Sequence, residues 1–107
     1  MKKIFFIVAI FIGLSLSSCK KEKTPVACFT YTGFYSGTNY IINLKNCSKD
    51  ADHYDWNLDN PYGADIHETQ FEPQNRSYPP GVYTIKLTAY SSSEVKKSDI
   101  SQTFTVN

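Results

Sequence analysis

Residues 26–107 predict an all-β fold, a single antiparallel β-sandwich, on three observations. Apolar and polar side chains alternate with a period of two, most clearly in "VYTIKLTAY" at residues 82–90. The runs are rich in Tyr, Thr, Val and Ile, and clusters of Pro, Gly, Asn and Ser separate them, which is the composition of strands and turns. No stretch repeats its apolar residues at the helical period of about 3.6. Short strands in this number, divided by turn signals, fit a two-layer sandwich.

Taken in order, the candidate strands are 26–32, 39–47, 52–58, 65–72, 82–90 and 99–106. Successive side chains of a strand point to opposite faces, so each strand has one face to bury. Ala27, Phe29 and Tyr31 form that face in the first strand, and Ile42, Leu44 and Asn46 in the second. Trp56 and Leu58 are the inward pair of the third. Tyr83, Ile85, Leu87 and Ala89 share a face of the 82–90 strand, while Thr84, Lys86 and Thr88 take the other. In the last strand Ile100, Phe104 and Val106 face inward, with Gln102 a polar exception among them.

The chain ahead of these strands has another purpose. Met1-Lys2-Lys3 followed by the apolar run from Ile4 to Leu16 has the charged start and short hydrophobic stretch of a secretory signal. The run is shorter than the ~20 apolar residues that a membrane-spanning helix needs. Leu16-Ser17-Ser18-Cys19 resembles a bacterial lipobox. The resemblance implies that Cys19 carries a thioether-linked diacylglyceryl group, that residues 1–18 are cut away, and that the new amino terminus receives a further chain such as palmitate. One acyl chain holds a protein at a membrane only marginally, whereas two or more anchor it stably. Residues 19–25 are then a lipidated cysteine and a tether, "KKEKTP", which reads as solvated. At roughly 3.3 Å per residue that tether keeps the domain close to the bilayer. Lys20 stands where inner-membrane retention would call for Asp, so the expected location is the cell envelope, at the outer membrane in a cell with two membranes.

Lipidation also settles the count of three cysteines, because it leaves Cys28 and Cys47 as an even pair in an exported protein. Both lie between inward-facing neighbours, on strands that should be antiparallel partners. A Cys28–Cys47 disulfide is the expectation.

Loss of the signal leaves about 90 residues, room for one domain with a modest core. Of the 11 basic side chains, Lys2 and Lys3 leave with the signal, against 10 acidic ones. That balance provides no basic field for nucleic acid.

Four short motifs in order resemble the PKD domain, an immunoglobulin-like module of surface and secreted proteins. They are Ala27-Cys28-Phe29, Asn46-Cys47-Ser48, the stretch from Tyr54 through Trp56 to Asn60, and Pro80-Gly81 ahead of the Tyr83-Ile85-Leu87-Ala89 strand. Asp59-Asn60-Pro61 replaces the family's usual Gly-Asp-Gly, so a turn is kept but its type is not defined. The resemblance implies an immunoglobulin-like sandwich over nearly all of residues 25–106.

No catalytic motif accompanies it. His53 and His67 stand without a Gly-x-Ser-x-Gly, His-Glu-x-x-His or phosphate loop, and they read as exposed strand-end residues. Some family members bind calcium. Asp50, Asp52, Asp55 and Asp59 nevertheless lack the spacing of a calcium loop and read as turn formers, so neither metal nor cofactor is expected. The expected function is a non-catalytic, membrane-anchored module that binds a protein or glycan. A structural spacer or accessory subunit of an envelope complex is the alternative. In an immunoglobulin-like sandwich the tether and the loop "SKDADH" share one end, facing the membrane. The loops "TGFYSGTNY", "DNPYG" and "SYPPG" gather at the other, where Tyr35, Tyr62 and Tyr78 are the candidate binding residues, with Phe34 and Tyr40 nearby.

Overall fold

Period-two alternation folds the chain into seven strands among the described residues, 22–107, of the computed structural model. The expected signal over residues 1–18, the expected lipidation site Cys19, and Lys20 and Lys21 lie outside the described residues. The strands are β1 (Phe29–Ser36), β2 (Asn39–Asn46), β3 (His53–Asn57), β4 (His67–Glu68), β5 (Arg76–Tyr78), β6 (Gly81–Tyr90) and β7 (Lys97–Val106). All pair antiparallel, in a three-stranded sheet of order β1-β2-β5 and a four-stranded sheet of order β4-β3-β6-β7.

The faces read from alternation are the faces that pack between the sheets. Ile42, Leu44 and Asn46 are buried, as are Trp56, Leu58, Tyr83, Ile85, Leu87 and Ala89. Trp56 has no exposed surface; its ring and that of Phe29 meet edge to face, 5.2 Å between centroids. Its indole N–H donates to the carbonyl of Gln70 at 2.9 Å, which satisfies the one polar group the ring carries into the core. Gln102, the polar exception, is explained by its partner: its amide donates to the Phe29 carbonyl at 2.5 Å. That bond, with Ala27 N–H to the Ser98 hydroxyl at 2.7 Å, joins β1 and the residues just before it to β7 of the other sheet. The opposite seam is closed by the Arg76–Glu68 ion pair between β5 and β4.

Most strand ends move by one to three residues from the sequence expectation, and three departures are larger. The first strand extends to Ser36, because Gly37, at φ 65°, makes a two-residue turn that pairs Ser36 with Asn39. Gly33 stays inside that strand because the Tyr40 ring lies 2.5 Å from where a Cβ would stand. The expected 65–72 strand shrinks to His67–Glu68. Just beyond it the carbonyls of Gln70 and Phe71 accept from the Trp56 indole and the Asn46 amide, which takes them out of any ladder. Finally, β5 forms where a turn was expected, and its register sets Tyr78 against Tyr40.

The tether departs from expectation in part: Lys23 and Thr24 are exposed, as a solvated segment would be, but Pro25 is buried and Glu22 is docked. Cys28 and Cys47 form a disulfide with Cα atoms 4.8 Å apart. Beside it, Ser48 both accepts from Cys28 N–H at 3.0 Å and donates to the Cys28 carbonyl at 3.2 Å. Val26 and Lys49 exchange two backbone hydrogen bonds, at 2.9 and 3.0 Å. Further out, the Glu22 carboxylate accepts from the Ser92 hydroxyl, the Ser93 N–H and the Ser93 hydroxyl at 2.6–2.9 Å. The serine hydroxyls, Ser93 first, pull the Glu22 carboxyl from the usual 4.5 down to about 2.

Two outcomes follow from this base. Replacing Cys28 and Cys47 together by Ala should lower unfolding stability by about 3 kcal/mol in urea titrations, the entropy of closing a loop of about 20 residues. Because the folded pKa of Glu22 is depressed, its docking contributes stability that is complete above 4.5 and is lost as pH falls through about 2. The melting-temperature difference between the parent and Glu22→Ala should therefore be full at pH 6 and vanish towards pH 2.

Candidate functional site

The strand directions place the β1–β2 turn, the β3–β4 loop, the β5–β6 turn and Asn107 at one end, opposite residues 22–28. Polar side chains build the β3–β4 loop from within. Asp59 takes a left-handed backbone, φ 52°, which Asp tolerates better than most residues, and its N–H is held by the Asn57 side chain at 3.2 Å. Beyond the end of β3, the Asp59 carboxylate accepts the Thr84 N–H of β6 at 2.7 Å and so replaces a strand neighbour. Asn60 accepts from Tyr62 N–H at 3.1 Å and donates to the Ala64 carbonyl at 3.0 Å. Missing glycines are thus made good by Asx turns. In the neighbouring turn the Tyr83 hydroxyl donates to the Pro79 carbonyl at 2.6 Å, a hydrogen bond of the kind that fixes corners in immunoglobulin-like folds.

This scaffold leaves Tyr62 75 % exposed. It forms one wall of an open cleft of about 200 Å³, with Pro61 and Ile66 beside it and Asn75, Arg76 and Ser77 across from it. Ile66 is also exposed, at 42 %. The lining's one charge, on Arg76, is paired by Glu68, and its Nε is buried without a partner. Such a surface offers a ring face, apolar area and a few polar edges. It holds no nucleophile poised beside a base: the Ser77 hydroxyl accepts from the Asn39 amide at 3.1 Å.

The three candidate tyrosines do not form one tip. Tyr62 lines the cleft, but Tyr78 is 2 % exposed and belongs to the core. It is the cleft's floor, because β5 turns its ring inward against Tyr83 and Phe104 and its hydroxyl donates to the Leu58 carbonyl at 2.5 Å. Burial pushes that hydroxyl up to about 12, so it remains a neutral donor. Tyr35 is half exposed, but it lies on the β1–β7 side, away from β5. Its ring rests on Tyr40 at 4.9 Å and its hydroxyl accepts the Asn107 N–H at 3.2 Å. Ile66, Asn75 and Arg76 were not legible as site residues, since the short strand that carries Arg76 reads as turn.

The four aspartates are dispersed. Asp50 pairs with Lys23, Asp52 with His53, Asp55 with His67, and Asp59 caps Thr84. Among the described residues no group of three or more His, Cys, Asp and Glu could hold a metal ion. His53 bridges Asp52 and Glu94, each at 3.0 Å, and the Asp52 hydrogen bond is the main cause of its raised pKa.

No family model and no curated protein matches the chain. Solved structures do. The PKD1 domain of Vibrio anguillarum Epp aligns with a TM-score of 0.58 at 21% identity, covering 81% of this chain and 98% of that one. The PKD1 domain of the Vibrio cholerae metalloprotease PrtV aligns with a TM-score of 0.55 at 22% identity, covering 79% and 99%. The fold is therefore that of a PKD domain.

The division between wall and floor has a measurable consequence. Tyr78→Ser should cost about 3–5 kcal/mol of stability, as loss of a buried aromatic does. Tyr62→Ser should change it by no more than about 0.5 kcal/mol, as an exposed site does.

Proposed function

We propose that the chain is a lipid-anchored protein of the cell envelope whose one domain is a non-catalytic binding module for a protein or glycan. The observation that carries this reading is Tyr62, exposed at the wall of an open cleft at the end of the sandwich opposite the N-terminal segment. Tyrosine gives a large contact area at low entropic cost, together with a hydroxyl that bonds either kind of ligand. The orientation supports the reading as well. Anchorage through Cys19 would hold the base at the membrane and turn the cleft outward. Outer-membrane delivery belongs to the same proposal, on the strength of Lys20.

The test has two parts. Growth with a clickable fatty acid should label the protein, and Cys19→Ala should remove the label. The domain from Glu22 onward, displayed on beads, should retain a defined glycan or envelope protein, and Tyr62→Ala should weaken retention by at least about tenfold, the effect of a binding hot spot. Retention unaltered by Tyr62→Ala and Ile66→Ser would place binding elsewhere. No retention of any envelope component would favour the spacer.

A further inference from the structure

The base of the sandwich ends in a loop whose surroundings are unlike those of the cleft. Residues 91–96 connect β6 to β7, and Val95 in this loop is 80 % exposed, the most exposed of the large apolar side chains among the described residues. Lys96 and Lys97 follow it directly. The same loop is where the N-terminal segment is fastened. Ser92 and Ser93 hold the Glu22 carboxylate, and Lys96 Nζ donates to the Glu22 carbonyl at 2.8 Å. Glu22 is three residues from Cys19. Three extended residues span at most about 10 Å, so a lipid on Cys19 cannot lie far from this loop. Both acids beside these lysines have partners of their own: the Glu22 carboxylate, which keeps its charge, is held by the serines, and Glu94 is bonded to His53.

We propose that the β6–β7 loop is a second membrane contact, in which Val95 enters the interfacial layer of the bilayer that holds Cys19 while Lys96 and Lys97 lie at headgroup level. The proposal rests on the lipoprotein reading above. An apolar side chain at the tip with lysines beside it matches the layered polarity of the interface, and lysine stems can lie along apolar surface while their ammonium groups stay hydrated. The contact would give the domain two attachment points and hold the Tyr62 cleft away from the membrane.

The experiment uses the full chain expressed in a bacterial host and purified with its lipid. Val95→Cys and, separately, Tyr62→Cys provide the labelling site, since Cys28 and Cys47 are joined and Cys19 is a thioether. Each is labelled with an environment-sensitive fluorophore and reconstituted in vesicles of phosphatidylethanolamine and phosphatidylglycerol carrying a lipid quencher. The label at position 95 should shift to shorter wavelength and be quenched, while that at 62 should remain as in water. Ser92→Ala with Ser93→Ala, which removes the two hydroxyl bonds to the Glu22 carboxylate and so loosens its docking without touching the core, should reduce quenching at 95 towards the value at 62. Equal, water-like signals at both positions on a protein whose N-terminal peptide carries the lipid mass would overturn the proposal and leave the lipoprotein reading standing. A peptide without the lipid mass would overturn both. A wavelength shift at 95 without lipid quenching, growing with protein concentration, would mean that the loop meets a second copy instead, which also overturns it.

Discussion

The structure depends on how residues 22–28 are bound across the base of the sandwich. β1 has a sheet neighbour on one side only, and on its other side the chain meets the second sheet through isolated hydrogen bonds, from Ala27 N–H to the Ser98 hydroxyl and from the Gln102 amide to the Phe29 carbonyl. A strand held this way would fray from its start, where it has fewest partners. The Cys28–Cys47 bond, the double hydrogen bond between Val26 and Lys49 and the Ser48 clamp on Cys28 fix that start. With the start fixed, Phe29 is delivered to Trp56 and Tyr31 to Phe104, and the seam closes over the core. In a domain of this size the core alone supplies little surplus stability, so a covalent link at an edge strand matters more than it would in a larger protein.

The same binding decides which way the molecule faces. Once the chain is fastened at Glu22, the two ends of the sandwich have different roles: the base is committed to whatever lies upstream of Glu22, and the Tyr62 cleft lies at the far end. The long β6 and β7 strands run between them and give the two ends a fixed separation. Under the proposed anchorage, a ligand in the cleft would be met at the end of the sandwich farthest from the membrane.

What was legible in the sequence was what local alternation encodes. The inward faces of β2, β3 and β6 follow from a period of two, which needs no knowledge of partners. The Asn46-Cys47-Ser48 motif was legible as a pattern, and its reason is now visible: the Asn46 side chain donates to the Phe71 carbonyl and accepts the Ser48 N–H, while Ser48 grips Cys28. Partner-dependent features were not legible. β5 is three residues between an asparagine and two prolines, and it is a strand because Tyr40, Ile41 and Ile42 pair with it. Tyr78 reads as a loop aromatic for the same reason, and only the closed sandwich puts it in the core. The docking of Glu22 joins groups 70 and 71 residues apart, a distance at which composition says nothing.

Native-state amide hydrogen exchange on the folded, oxidised domain from Glu22 onward addresses the central claim, that residues 22–28 belong to the fold and are not a linker. The Val26 and Lys49 amides, which donate to each other's carbonyls, and the Cys47 amide, which donates to Cys28, are the reporters. The account predicts that they are protected in step with Ile42 of β2, with the Ala27 amide at the seam close behind. Exchange of Val26 and Ala27 at the rate of an unstructured chain, with Ile42 still protected, would contradict it.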